Sequence, residues 1–517
     1  MDCAIKDNKK WSERHLMDRL TRLPKQILGI NPFNGDSKPS RVRLFDFGAG
    51  RPTLPFPHPW NYTRPIEILE TFFWNADAQE GAARHNRYLD VPGFAPVLVT
   101  RDPGIIRAIL SATGDRPGQF DRDTLPSTGI ARATGKDTLI FANGSLWRIQ
   151  RKLAAPSFGK STLFQPERFQ EFEETFRQTI RKRLDALRVH LANSGRDTAR
   201  VQLEPEIKAV MLEMLVNNFF GARIPYEEIK NRFTPALERV INHIVSDTVI
   251  NKIGVPVSRL PSFTPAIAQA KADYADFEKL TDLALAPRKE GRGLWQQFKS
   301  DAPDEKLRSN IRVFLAGALE ATTSFASWAL AHLARHPAIQ EQVHQEVKAI
   351  DTYTPDNFNQ AQRLNDVLEE TLRLTPSLYF LPRKATADTW IETTDQRKML
   401  IPKDTHILLD VWHANRLENY WGVKATGFPA GDFAPDRWGI LAGRGQSPKD
   451  FLHFGFGHGA RVCPGKFLGQ LEVGLVVGAI VKKFKFRAVN SDDRAKAGVS
   501  TKPMDGVLVD LEMREEK

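Results

Sequence analysis

Cysteine is nearly missing from this chain: its 517 residues include two, Cys3 and Cys463. A disulfide framework is therefore excluded, and a reducing, cytoplasmic setting is expected. Long apolar runs are missing too. No stretch approaches the roughly 20 apolar residues that span a bilayer, and the start, MDCAIKDNKKWSERHLMDRL, is charged throughout with no signal-peptide apolar segment. Nor does one sign of charge prevail: 73 Lys and Arg face 62 Asp and Glu, for a net charge of +11. Without a long basic run, that balance describes a bland basic surface and no nucleic-acid partner. Internal repeats and low-complexity tracts are absent as well.

What is present is ordinary for a soluble globular protein: 41% hydrophobic and 26% charged residues, in a chain long enough for a large core. Leu16, Met17, Leu20, Leu23 and Ile27 recur at helical spacing among basic residues. Such a helix packs on the domain or makes weak peripheral contact with a membrane surface. Residues 31–65, rich in Pro and Gly, read as extended chain, and APVLVTRDPGIIRAIL reads as a strand and then a helix opened near Asp102–Pro103. Helical patterns follow at 143–155, 165–193, 203–220, 262–287 and 308–335. The last is apolar nearly all round, so it should be buried, and Pro337 ends it. Strand patterns gather late, at 378–391, 396–409 and 480–489. Helices dominate and do not alternate with strands, which argues for a mainly α fold with a smaller β region and against a doubly wound sheet.

FGFGHGARVCPG, residues 454–465, sets four glycines around Cys463. Gly455, Gly457 and Ala460 satisfy G-x-G-x-x-A, so a phosphate cradle, a metal-ligand loop and an ordinary turn with a buried thiol are all open. The stretch lies too near the end for a complete nucleotide-binding half, and FLHF before it is a poor strand. A zinc site needs three further Cys or His ligands; His453 and His458 are close, but no C-x-x-C accompanies them. A single thiolate suffices where a macrocycle supplies the remaining ligands, as when haem iron is held by one Cys. A helix starting just after Cys463 would bring a positive dipole end to the sulfur.

FGHGARVCPG resembles the haem-binding signature of the cytochrome P450 family, F-x-x-G-x-R-x-C-x-G, with Phe456, Gly459, Arg461, Cys463 and Gly465 in place. Gly469 stands where the family usually has Ala, and Glu472 matches its usual acidic residue. VLEETLRLTP supplies Glu370 and Arg373 for the family's E-x-x-R, and FAPDRW supplies Arg437 to join them in a structural cluster behind the Cys loop. NGSLWRIQRKLAAPSF resembles the W-x-x-x-R helix, so that Trp147 and Arg151 are expected at a haem propionate, together with Arg383 and Arg461. The family's oxygen-binding segment, A-G-x-[DE]-T-[TS], is matched with a departure. Counting back from Pro337 puts Glu320 at the acidic position, Ala321 at the first Thr and Thr322 at the second. A bulge before Glu320 would instead swing Thr322 into the usual place. The plainer alternative makes Glu320 a buried ion-pair partner, with Thr322 bonded to its own backbone.

The resemblance covers the chain from about residue 50, implying a 1–50 extension and a 51–517 haem domain with the P450 fold, in which a helical bundle with a long central helix encloses the cofactor. It implies a monomeric haem-thiolate monooxygenase using haem b, dioxygen and an apolar small-molecule substrate. Electrons would come ultimately from NAD(P)H through a separate ferredoxin- or flavodoxin-type or reductase partner. Arg148, Lys152 and Lys466 would offer that acidic partner a basic face. Regions 115–140, 220–260 and 377–381, with Tyr379 and Phe380, would line an apolar pocket. Two alternatives stand beside this reading. One is a P450-fold isomerase or dehydratase, suggested by Ala321; the other is an NAD-binding protein using GFGHGA.

Overall fold

The computed structural model describes residues 21–514 apart from 43–44, 47–50, 53–64, 75–84, 91–92, 115–118, 123–137, 194–197, 250–260, 263, 291–292, 294–303, 447–452 and 492. The chain divides into two compact units, each assembled from separate segments. The first comprises Met1–Leu125, Phe380–Ala414 and His458–Arg461, and the second the remainder.

The first unit is built on a six-stranded sheet in the order Ser40–Val42, Asn86–Leu89, Val97–Thr100, His406–Asp410, Phe380–Ala385 and Phe120–Arg122. Residues expected as two long strands, 378–391 and 396–409, each break in two. Phe380–Ala385 and His406–Asp410 pair in this sheet, whereas Thr389–Glu392 and Lys398–Ile401 pair in a separate three-stranded one. The helix Pro103–Ala112 opens as its sequence indicates: Asp102 Oδ1 accepts from the Ile105 amide at 3.0 Å, and Pro103 occupies the first turn. From the amino-terminal stripe, residues 21–27 are helical, but Ile27 is 74% exposed while Gln26 is buried, so a polar residue anchors the turn. Gln26 accepts from the Gly93 amide at 2.7 Å and donates to Asp90. Leu16, Met17 and Leu20 lie outside the described residues.

The second unit is helical, with a three-stranded sheet (Phe484–Ala488, Leu508–Met513, Thr198–Gln202) and a short hairpin, Ala495–Ala497 with Thr501–Pro503. Its axis is the helix Asp304–Arg335, 32 residues and about 48 Å long at 1.5 Å per residue. Residues 323–334 are all buried, which is what an apolar sequence without a polar face requires. Leu307–Arg335 is the only helix among the described residues long and apolar enough to cross a membrane. The expected helices recur as Gly144–Phe158, Pro166–Asn193 and Pro265–Leu285. The 203–220 pattern is an α-helix only over Glu204–Glu213 and continues as a π segment, Met214–Phe219. IVKKFKFRAV is not one strand. The helix Lys466–Lys483 runs through its first four residues, and the strand begins at Phe484. A two-residue apolar run such as Ile480–Val481 carries no period by which to tell a helix end from a strand start.

Glu370, Arg373 and Arg437 have no exposed surface at all. Arg373 forks onto Glu370, Nε at 2.9 Å and Nη2 at 2.8 Å. Its remaining donors reach the carbonyls of Asn415, Ala430 and Asp432. Arg437 Nε also donates to Glu370, at 3.2 Å, and its other nitrogens hold the carbonyls of Trp421 and Pro429. Burial works against the carboxylate, but the two guanidiniums and the Ala434 amide outweigh it and hold the Glu370 pKa below the usual range. The helix Gln362–Leu374 is thus fastened to the irregular segment 415–437. Removing one partner strands a buried charge, so Arg373→Ala should cost about 3–5 kcal/mol. Urea unfolding checks this: a wild-type midpoint in the variant would mean the cluster holds nothing.

Candidate functional site

Three segments of the second unit meet at Cys463. The loop first turns back on itself, the Cys463 amide donating to the Phe456 carbonyl at 2.9 Å. The helix Lys466–Lys483 then starts three residues on, with Gly465 at its cap. From the helix Gly144–Phe158, Arg151 Nη1 reaches the Val462 carbonyl at 2.8 Å, next to the cysteine. Protein crowds the sulfur, although the residue retains exposed surface. This burial raises the thiol pKa, while the Gly465 amide, Arg151 and Lys466 pull it back toward the thiolate.

Arg151 was expected at a propionate, and the bond it shows is to the backbone beside Cys463. Trp147, four residues earlier on that helix, is 5% exposed. Gly465 has room: a Cβ there would lie 3.9 Å from the sulfur. A Cβ at Gly469 would meet Thr322 Cγ2 at 3.9 Å, so the alanine usual in the family would fit. Phe456 packs edge-on to Phe325 of the long helix at 6.3 Å, beneath Lys466.

In the first unit, Arg122, Arg383 and Arg461 share one buried corner. Burial, then Arg122, then Arg461 push the Arg383 guanidinium well below its usual range. Its Nε donates to Thr113 at 3.2 Å and its Nη1 to the Pro382 carbonyl at 2.8 Å. Asp121 is raised by burial and lowered by Arg461 and Lys384. Gly459 is fixed by geometry, since its φ is +70° and a Cβ would sit 2.5 Å from the Leu110 carbonyl oxygen.

The long helix is α-helical from Asp304 to Arg335, with no bulge before Glu320. Glu320 accepts from Ser500 Oγ at 2.8 Å and pairs with Lys502 at 2.9 Å, all three buried. Thr322 Oγ1 donates to its own helix, to the Ala318 carbonyl at 2.8 Å. Ala321 presents only its carbonyl, which accepts from Ser377 Oγ at 3.0 Å. Sequence reasoning missed Ser377, Ser500 and Lys502 because each lies 56 to 182 residues from its partner. In the expected pocket lining, 115–118, 123–137 and 250–260 lie outside the described residues, and Tyr379 is buried.

Other chemistries fit less well. Residues 453–458 form no strand, and only a single 3-10 turn, Gly459–Arg461, follows before the cysteine, the α-helix starting at Lys466, so GFGHGA lacks the strand and α-helix of a dinucleotide turn. Among the described residues no three His, Cys, Asp or Glu cluster as metal ligands. The single soft sulfur of Cys463 instead fits a metal whose remaining ligands come from a macrocycle.

The family model described as cytochrome P450 matches residues 88–504. Cytochrome P450 734A6 of rice is 24% identical over 427 residues, covering 76% of this chain and 73% of the rice protein. Rat cytochrome P450 3A9 is 22% identical over 467 residues, 84% and 85% of the two chains. A cytochrome P450 monooxygenase of Alternaria alternata, ALT8, is 26% identical over 260 residues, 41% and 42%.

Glu472, on the helix that follows Cys463, is 3% exposed, and burial pushes its pKa up to about 8. A carboxyl raised in the folded state adds stability that is complete below its unfolded pKa and lost as pH rises through the folded value. Wild type should therefore lose up to about 1.4 kcal/mol per pH unit between roughly pH 4.5 and 8, relative to Glu472→Gln. Paired urea titrations across that range measure the difference; parallel profiles would show that Glu472 titrates normally.

Proposed function

Since the chain belongs to the cytochrome P450 family, whose members are haem monooxygenases reduced by NAD(P)H through a partner, we propose that it hydroxylates or epoxidises an apolar organic substrate of moderate size. The carrying observation is the Cys463 loop, which sets one sulfur against the Gly465 amide, a helix amino terminus and two cations. Haem b, which Cys463 would hold through its sulfur, would supply the activation of dioxygen. Arg383 and Arg461 would hold its carboxylates, and Gly465 leaves the sulfur side clear. Phe158, Phe219 and Phe314, mutually packed at 4.9 and 5.3 Å, belong to the unit's apolar interior.

Protons are the chain's own problem. In the regular helix Thr322 Oγ1 is committed to the Ala318 carbonyl, and position 321 carries no hydroxyl. Glu320 is neutralised by Lys502. Water or a substrate hydroxyl then has to deliver the protons at the oxygen side. Ala321 also favours the second reading, a rearrangement or dehydration on the same fold; turnover without reductant and oxygen would identify it. Electrons would enter on the side where Arg148 and Lys152 stand exposed, on the helix whose Arg151 holds Val462. That face suits an acidic ferredoxin, flavodoxin or reductase surface.

The reduced carbon-monoxide adduct of wild type should show the strongly red-shifted Soret band of thiolate ligation, and Cys463→Ser should lose it. Retention of the band in the variant would remove Cys463 as ligand. For the oxygen side, Ala321→Thr should raise the share of reductant that ends in product severalfold, while Thr322→Ala changes little. Peroxide released per reductant consumed decides this, and the reverse pattern would give Thr322 the role.

A further inference from the structure

The loop that carries Cys463 is gripped by a residue that the thiolate chemistry leaves unused. His453 lies ten residues before the cysteine, and its ring accepts the Gly455 amide hydrogen at Nδ1, 3.0 Å away. An acceptor Nδ1 places the proton on Nε2, which donates to Glu369 Oε2 at 2.7 Å. The second oxygen of Glu369 accepts from Gln470 Nε2 at 2.8 Å, one turn into the helix that follows Cys463. One carboxylate thus ties both limbs of the loop. Burial raises the Glu369 pKa, but His453, then Lys466 and Gln470, outweigh it and keep the group ionised.

The backbone between these contacts is strained. Phe454, between His453 and Gly455, has φ +54° and is 4% exposed. A non-glycine residue keeps that conformation only where its surroundings impose it. The bond that spans it, from Gly455 to the ring of His453, is such a constraint. Gly455 has no room for a side chain, since a Cβ would meet His453 Nδ1 at 2.9 Å and Leu372 Cβ at 3.0 Å. The ring in turn stands edge-on to Trp438 at 6.0 Å, beside Arg437 of the buried cluster. From Gly455 the chain passes to Phe456, whose carbonyl receives the Cys463 amide.

We propose that Glu369 and His453 are positioning residues for the Cys463 thiolate, fixing the sulfur through the loop backbone without touching it. The inference rests on the thiolate reading above, so the wild-type carbon-monoxide band is its first control; absence of that band would sink the thiolate reading itself. With the band present, the reduced holoprotein of His453→Ala and of Glu369→Ala should lose it roughly tenfold faster than wild type, the worth of one charge-assisted hydrogen bond. The double variant should be barely faster than either single one, since both break the same link. His453→Asn keeps an acceptor for the Gly455 amide but gives up the donor to Glu369, so it should recover the lifetime and the ferric/ferrous midpoint potential only in part, to the level of Glu369→Ala or better. Should His453→Ala yield no haem-loaded protein, Glu369→Gln and His453→Gln, which keep the volume, carry the same comparison. Band lifetimes within twofold of wild type, single effects that multiply, or an unmoved midpoint potential would each overturn the proposal.

Discussion

The Glu370 carboxylate, shut away from water, is tolerable only because two guanidiniums and one amide close on it. Neither Arg373 nor Arg437 has spare donors of consequence, since each spreads the rest over backbone carbonyls of 415–437. A cluster of this kind contributes less to net stability than its contacts suggest, because desolvation offsets much of the attraction. What it fixes is position. A segment made of two single-turn helices, Glu418–Trp421 and Val423–Thr426, and the turns between them is set in place by lending its carbonyls to two planar forks.

The helix Gln362–Leu374 is therefore held hard on one side, and the neighbouring residue exploits that. Glu370 faces the cluster and Glu369 faces the Cys loop, so the same rigid element serves as abutment for both. Trp438, adjacent to Arg437, closes the arrangement from the other side by packing on the His453 ring. Disturbing either carboxylate should accordingly be felt in the other's neighbourhood, whereas polar pairs on distant helices, such as Arg239 with Asp273, stand apart.

Much of this was legible in the sequence, and what was not has a common cause. The long helices follow from apolar period and their proline boundaries; the Cys loop and the Glu370, Arg373 and Arg437 cluster follow from resemblance, because the motifs preserve spacing. Resemblance conveyed less well where individual side chains go. Glu320, for one, finds Lys502 across 182 residues of chain. Local patterns cannot show such pairings, because nothing in a window of twenty residues encodes a partner from elsewhere. The π segment at Met214–Phe219 and the late helix end at Lys483 escaped for a different reason: Met214–Val216 and Ile480–Val481 are short apolar runs that carry no period of their own.

His453 shows how the two kinds of information combine. In the sequence it is a stray histidine near a cysteine, with too few ligands beside it for a zinc site and no other role assigned. In the structure both ring nitrogens are committed, one to an amide and one to a carboxylate, which leaves no lone pair for a metal. A similar commitment governs the oxygen side, where Thr322 Oγ1 is given to Ala318 and the Glu320 carboxylate to Lys502 and Ser500. The chain thus spends its conspicuous polar side chains on holding elements in place. Its chemistry is left to one sulfur, a cofactor, and whatever hydroxyl the substrate or solvent brings.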